Sequence, residues 1–313
     1  MKGTCVLRHT LLMIPVLLLA GCTASEPDPV EVRTLVLLHS LPIDGPVNFQ
    51  PSGLAIWEDA LLTVSDRHDH AIYRLDWNLE GAALSPYLEF EPPESDTGRQ
   101  RMDFEGITVD GDGHFYLVSE TLCRVMRVQA NDGTAQWVSP DMTADGQAAG
   151  LFQIDNAYLE GIALVNKGRF LLCAERQPRG IIEADFNQSP PFIRAVNCDE
   201  SRFTFPEGTT PDFSDICFYQ GTVYVLQRNA YLVASLRLGM EGCEEVGAWS
   251  YAHIERDPRW EYVDMRYGHG EGLVMDDDYL YIVLDNNGDP RSTNPGDSRP
   301  LLFVFENPLK KRP

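Results

Sequence analysis

Five short segments of this sequence begin alike: PSGLAI at Pro51, FEGITV at Phe104, LEGIAL at Leu159, FSDICF at Phe213 and GEGLVM at Gly270. Their second residues, Ser52, Glu105, Glu160, Ser214 and Glu271, are separated by 53, 55, 54 and 57 positions. A period this constant marks a repeat architecture, in which one supersecondary unit recurs and each copy buries its apolar face against the next.

Each copy continues with a polar turn (WED, DGDG, NKG, YQG, DDD) and a β-rich stretch (LLTVSD, FYLVSE, FLLCAE, VYVLQR, LYIVLD). A third strand follows (AIYRLD, RVMRVQ, GIIEAD, LVASLRL, LLFVFE), and four copies add a fourth (LSPYLEF, TAQWVS, PFIRAV, EEVGAWSY). The last copy lacks its fourth strand, while EVRTLVLLHS at Glu31–Ser40 stands unassigned before the first copy. Supplying one from the other closes the array and removes the edges an open array would expose. The pattern predicts an all-β fold, a five-bladed β-propeller closed by an N-terminal outer strand, as one domain over residues 31–309. A six-bladed ring with one degenerate blade is the alternative.

In such a ring the first strand of each blade lines the channel and the second returns beside it. The start of one and the end of the other then share a rim, which places Glu105 beside Glu120, Glu160 beside Glu175, and Glu271 beside Asp285 and Asn286. Ser52, Glu105, Glu160, Ser214 and Glu271 gather around the axis. Carboxylates converging in a narrow channel repel one another, and burying them unpaired forces protonation or a heavy desolvation cost. A cation resolves the conflict. Oxygen ligands without His or Cys suit a hard ion, and a wide ring favours calcium over magnesium, which demands tight octahedral geometry.

The long connections EPPESDTGRQRM, DMTADGQAAGLFQIDNA, DESRFTFPEGTTPD, AHIERDPRWEYVDMRYGH and NNGDPRSTNPGDSR belong to this same rim, and tight turns serve the other. Binding residues tend to sit on loops carried by a rigid scaffold, so this rim is the expected functional face. Arg67, Arg176 and Arg228 follow second strands at what read as matching positions, with Arg124, Arg179 and Arg291 close by. As a set around a metal, their planar guanidinium groups suit phosphate or carboxylate. No Gly-x-Ser-x-Gly elbow, P-loop or His-Glu-x-x-His motif occurs; His68, His70 and His269 lie near the rim. DGDG at Asp110–Gly113 has no distal acid and reads as a turn.

With 25 basic and 47 acidic residues the formal charge is −22, which repels nucleic acid and anionic membrane surfaces and attracts divalent cations. The front of the chain sets the compartment. Lys2 and Arg8 precede an apolar run, Leu11 to Leu19, that ends in LAGC at Leu19–Cys22. This is the form of a bacterial lipoprotein signal: residues 1–21 are a leader, Cys22 the lipidated residue, and 22–30 a tether. Thr23 resembles the residue that directs such proteins to the outer membrane, so the expected location is its periplasmic face, with membrane contact through the lipid alone. Beyond Cys5 and Cys22 five cysteines remain. Cys173 and Cys217 lie in apolar strand patterns, and a disulfide among Cys123, Cys198 and Cys243 is allowed but not indicated by spacing.

The Ser-Glu-Glu-Ser-Glu ring resembles the calcium-activated nucleotidase (apyrase) family, as does LLTVSDRHDHAIYRLD with its Asp-Arg pair after a second strand. The repeated EGIAxxxxGxFxLxxE wording is similar to the bacterial phytase-like propeller proteins. These resemblances imply calcium ligands at Ser52, Glu105, Glu160, Ser214 and Glu271. In a hydrolase of small phosphate-bearing molecules, Arg67, Arg176 and Arg228 would neutralise developing charge and Asp66, Glu120, Glu175 or His269 would act as general base. In the alternative, a non-catalytic propeller, calcium staples the ring and the rim captures a ligand or envelope partner.

Overall fold

The computed structural model describes residue 1, residues 29–94 and residues 101–310. The leader, Cys22 and nearly all of the tether lie outside the described residues. The chain opens with β1 (Val32–Thr34) and β2 (Leu37–Asp44). Four-strand runs follow: β3 (Pro51–Trp57), β4 (Ala60–Ser65), β5 (Ala71–Trp77) and β6 (Ala82–Glu89), then β7 (Phe104–Val109), β8 (His114–Ser119), β9 (Arg124–Gln129) and β10 (Ala135–Trp137). Next come β11 (Leu159–Asn166), β12 (Arg169–Ala174), β13 (Gly180–Asp185) and β14 (Phe192–Asn197), then β15 (Asp215–Tyr219), β16 (Thr222–Gln227), β17 (Leu232–Leu238) and β18 (Cys243–Ser250). The last run is β19 (Gly270–Met275), β20 (Tyr279–Leu284) and β21 (Leu301–Glu306). Two short helices, α1 (Thr143–Ala148) and α2 (Ala252–Glu255), lie in long connections.

Within each run consecutive strands pair antiparallel, and the runs assemble into four sheets. One sheet has eight strands because β2 joins two runs: Leu37–Pro42 pair antiparallel with β21, and Ile43 and Asp44 pair parallel with Ala82 and Ala83 of β6. The single N-terminal strand expected over 31–40 is therefore two. β1 runs parallel to Ala248–Ser250 of β18, so this short stretch ties three runs together. The break falls at Leu35, which is buried and donates its N–H to Ser250 O, turning the chain from one run to the next.

The runs stand face to face, and each interface is a dry seam of alternating strand residues. Leu62, Phe104, Phe115 and Leu117 fill one. Val118, Phe170 and Leu172 fill the next, Phe213, Val225 and Ala234 a third, Leu226, Tyr251 and Phe303 a fourth, and Ile43, Leu54, Val283 and Leu302 the one that returns to the start. Cys123, Cys173 and Cys217 are buried, while Cys198 and Cys243 form a disulfide between the end of β14 and the start of β18.

First strands meet at the axis: β3 packs on β7, β7 on β11, β11 on β15, β15 on β19, and β19 on β3. The third residue of the repeated motif sets how close they come. A Cβ on Gly53 would lie 2.7 Å from Gly106 Cα, one on Gly106 2.8 Å from Gly161 Cα, and one on Gly272 2.9 Å from the Gly53 carbonyl carbon. Here the glycines are a collar, backbone against backbone. Asp215 holds the remaining place, and its carboxylate accepts the N–H groups of Ile216 at 2.8 Å and Leu273 at 2.7 Å, stitching β15 to β19. Below the collar the channel is a cavity of about 220 Å³ lined by Ile107, Ile162, Ile216 and Val274.

Gly106→Ala should lower unfolding free energy by about 1–3 kcal/mol, since the overpacked atoms are backbone and cannot swing aside. Gly111→Ala, whose Cβ would meet nothing within 4 Å, should change it by no more than about 0.5 kcal/mol. Urea denaturation of both variants checks this; equal costs would mean the collar is not tight.

Candidate functional site

Above the collar, the strand register skips a residue in β7, β11 and β19, and the extra residue is Glu105, Glu160 or Glu271. In β3 the extra residue is Gly53, and β15 runs without a skip. A bulge leaves its residue unpaired in the ladder and re-aims its side chain. The Glu-Gly pair is thus one device in two parts: the glycine admits the neighbouring backbone, and the glutamate is turned to the rim.

A second circle stands at the residue immediately after each second strand: Asp66, Glu120, Glu175, Arg228 and Asp285. Arg228 therefore occupies the place of Asp66 and Glu175. It does not match Arg67 and Arg176, which lie one residue further on, so the alignment of three equivalent arginines is corrected. The acids group across sheets as well as within them. Carboxylate oxygens of Glu120, Glu160 and Glu175 lie within 4.8 Å of one another, and so do those of Asp66, Asp103 and Glu105. Glu160 meets Glu175 as the rim geometry required; Glu105 instead joins Asp66 and Asp103, and Glu120 crosses to the next sheet, where it accepts the Tyr158 N–H at 3.0 Å.

Arg228 sits among these acids. Its terminal nitrogens donate to Glu175 and to Glu271, and its Nε lies 3.3 Å from buried Asp212. Arg176 pairs with Glu175 and reaches Asn156 O at 3.4 Å. Arg67 donates to Gln50 and lies 3.2 Å from Asp66, while Arg101 bridges Asp66 at 2.8 Å and Asp103 at 3.0 Å. Of the two serines, Ser52 is buried and Ser214 donates its hydroxyl to Gly270 O at 2.7 Å. Asn286 turns away, donating to Ser298 O at 2.8 Å.

This much negative charge is not balanced by the protein alone. Glu175 is 1% exposed, yet its Oε2 has no hydrogen-bond partner among the described residues, and Asp66 Oδ1 is likewise buried without one. Burial, compounded by neighbouring carboxylates, holds Glu105 and Glu160 well above the usual carboxylate range. Burial lifts Glu271 to about 7 against the pull of Arg228, and Asp66 to about 7 against that of Arg67. Asp212 and Asp285 rise to about 6 for the same first reason. The oxygen-only donor set, the orphaned oxygen and the surplus charge fit a hard metal ion.

His269 is buried, and both its backbone N–H and its Nδ1 face Glu255 Oε1, at 2.8 and 3.0 Å. Burial alone would pull its pKa down, but the Glu255 carboxylate outweighs that and holds it above the usual value. His68 stacks on Phe49 and exposed His70 lies 3.4 Å from Glu91. Beside Arg228 opens a cavity of about 330 Å³, lined by Arg176, Gln177, Thr210, Asn229 and Tyr267. Asn229 is 3% exposed and its Oδ1 has no hydrogen-bond partner among the described residues.

Three of the expected cations serve the fold instead. Arg179 is buried, donates to Gln227, Glu245 and the carbonyls of Cys198 and Glu200, and stacks on Phe213. Arg291 donates to the carbonyls of Trp260 and Arg299 over the Tyr262 ring, and Arg124 caps Ser139 O over Trp137. Arg179 and Arg291 are buried, and Arg124 is half-buried. Conversely, Asp103, Asp212, Glu255 and Asn229 were not found from sequence. The first two each stand one residue before the repeated motif, in the phase of Gln50, Tyr158 and His269, a position that the alignment on second residues passes over.

With metal chelated, stability should fall as pH rises from 5 to 8. Acids whose native pKa lies near 6–7, above about 4 in the unfolded chain, bind more protons when folded. Their favourable contribution is complete near pH 4 and lost by about 7. Melting curves in chelator across this range should therefore decline; a rise would contradict the crowding of the acids.

A family model described as phytase-like, esterase-like activity of phytase, matches residues 50–235. A search of curated proteins gives no match. Among solved structures, the glutaminyl cyclase of Myxococcus xanthus superposes with a TM-score of 0.56 at 13% identity, over 89% of this chain and 98% of the cyclase. An aldose sugar dehydrogenase of Streptomyces coelicolor in its PQQ-bound form (TM-score 0.44, 13% identity, 88% and 97% of the two chains) and a virginiamycin B lyase of Staphylococcus aureus (0.41, 12%, 87% and 74%) follow. At such identities the cyclase speaks for the fold alone, an all-β, propeller-like one. The match to the family model spans more than half of the chain, with the repeated Glu-Gly motifs at Glu105 and Glu160 inside it: this chain belongs to the phytase-like family.

Proposed function

We propose that the chain is a five-bladed β-propeller whose acidic rim binds calcium and hydrolyses phosphate esters of small molecules. The blade count is supported by the circuit of first strands and by β2 standing as the fourth strand beside β21. The observation that carries the site is the buried Glu175 oxygen without a partner, set in a triad of carboxylates with Glu120 and Glu160.

Glu105, Glu120, Glu160, Glu175 and Glu271 would hold the ion, with the hydroxyls of Ser52 and Ser214 close to it. Calcium there supplies Lewis-acid polarisation of the ester and neutralises its charge. The chain's own groups do the rest. The cavity beside Arg176 and Arg228 takes the esterified group, and Tyr267 offers it a ring face. Glu255 holds His269 by Nδ1, which leaves Nε2 as the position where a proton is given or taken. Asp66, raised to about 7 by burial, would be the carboxylate that accepts a proton from water.

One observation favours the second reading, a non-catalytic propeller stapled by calcium: Arg67, Arg176 and Arg228 are each already engaged by carboxylate or amide groups. Calcium-dependent turnover of a panel of phosphate esters separates the two, and none across the panel, with calcium bound, would leave the staple. The lipoprotein reading places the domain on the periplasmic face of the outer membrane through Cys22.

Calcium at a hundredfold excess over its dissociation constant should add about 2.7 kcal/mol to stability, seen as a raised melting temperature. Glu160→Gln should reduce that shift; a melting curve indifferent to chelator would remove the metal site. Cys22→Ser should move the folded protein from the membrane fraction to the soluble one, and a variant that stays with the membrane would end the lipoprotein reading.

A further inference from the structure

Four of the five residues that follow second strands are acids, and the fifth is Arg228. Its guanidinium projects into the circle of carboxylates its equivalents would have enlarged, and binds two of them through its terminal nitrogens. One monovalent cation serves Glu175, Glu271 and Asp212, and still leaves Glu175 Oε2 unpartnered. The arrangement satisfies these acids in part.

The same guanidinium lines the cavity of about 330 Å³ on the rim. The cavity is lined by Arg176 and Arg228 and by no carboxylate, but while both guanidinium groups are held by Glu175 and Glu271 behind the wall their charge is offset and their terminal nitrogens are occupied, so they hold an anion weakly. A divalent ion competes with Arg228 for the same oxygens. If it takes Glu175 and Glu271, Asp212 still retains Arg228 through Nε, and the two terminal nitrogens are released. Those two nitrogens form the fork that grips an oxyanion bidentately.

We propose that Arg228 is an internal counter-ion displaced by the bound metal, so that the adjoining cavity becomes an oxyanion site only in the metal-loaded protein. This rests on the metal reading above and adds a coupling to it. Linkage makes the coupling reciprocal: whatever factor calcium contributes to anion affinity, the anion contributes to calcium affinity. Arg228→Ala should then keep calcium binding, or tighten it, because a competing cation has gone, while losing the coupling. A residue that only braced the loop would weaken both.

The test is calorimetric titration of methylphosphonate, which is not turned over, into the full-length protein with chelator and with saturating calcium. Binding should tighten at least about tenfold with calcium, a coupling within the usual range. In Arg228→Ala the two titrations should agree within about twofold. Arg228→Lys keeps the charge and the fold but not the fork, and should show a coupling reduced several-fold, which serves if the alanine variant does not fold. Equal phosphonate affinity with and without calcium in the wild type, or undiminished coupling in both variants, overturns the proposal while the metal site stands. Absence of any calcium heat overturns the metal site itself and this inference with it.

Discussion

Backbone meets backbone at the axis of this protein, and that contact governs the remainder. Gly53, Gly106, Gly161 and Gly272 let first strands approach to distances at which no side chain fits between them. The next residue toward the rim must then project into a space as narrow as the collar. Where that residue is Glu105, Glu160 or Glu271, the bulge that frees it from the ladder also aims it at its counterparts. Crowded carboxylates are thus the price of a tight ring, and the dry seams between strand runs hold them there.

Two responses to that crowding coexist. Arg228, Arg176 and Arg101 neutralise part of the charge with ion pairs, and part is retained as protons on acids whose affinity for them has risen. Neither completes the balance at Glu175. A site in this condition fits a cation, and because Arg228 shares its oxygens and also lines the neighbouring cavity, the arginine and the cavity belong to one electrostatic unit.

Much of this was legible in the sequence, because the repeat carries phase. The second position of each motif and the polar turns between strands gave strand order, channel lining and the rim on which the acids meet. Phase also held the clue to Arg228, since counting from the end of VYVLQ puts it level with Asp66 and Glu175. What could not be read is whatever lies off the repeat. Glu255 comes from a long connection and its place follows from how that loop folds over the rim, whereas Asp212 and Asn229 are in phase, one standing directly before a motif and the other level with Arg67 and Arg176. The arginines at 124, 179 and 291 look alike in sequence; only the carbonyls and rings around them show that they brace loops. The N-terminal segment was located correctly as the closing strand beside β21, but its division at Leu35 depends on the packing of three runs at once.

That segment has a consequence for how the molecule comes into being. β21, late in the chain, pairs with β2, early in it, so this contact joins strands that are made far apart in time. Until β21 arrives, β2 and β20 both present unpaired backbone, and such edges recruit other chains. Contacts this distant along the chain also form slowly. An interrupted or truncated copy is therefore marked by two open edges, a defect that proteolysis and chaperones can recognise, whereas the finished copy has concealed both in one step.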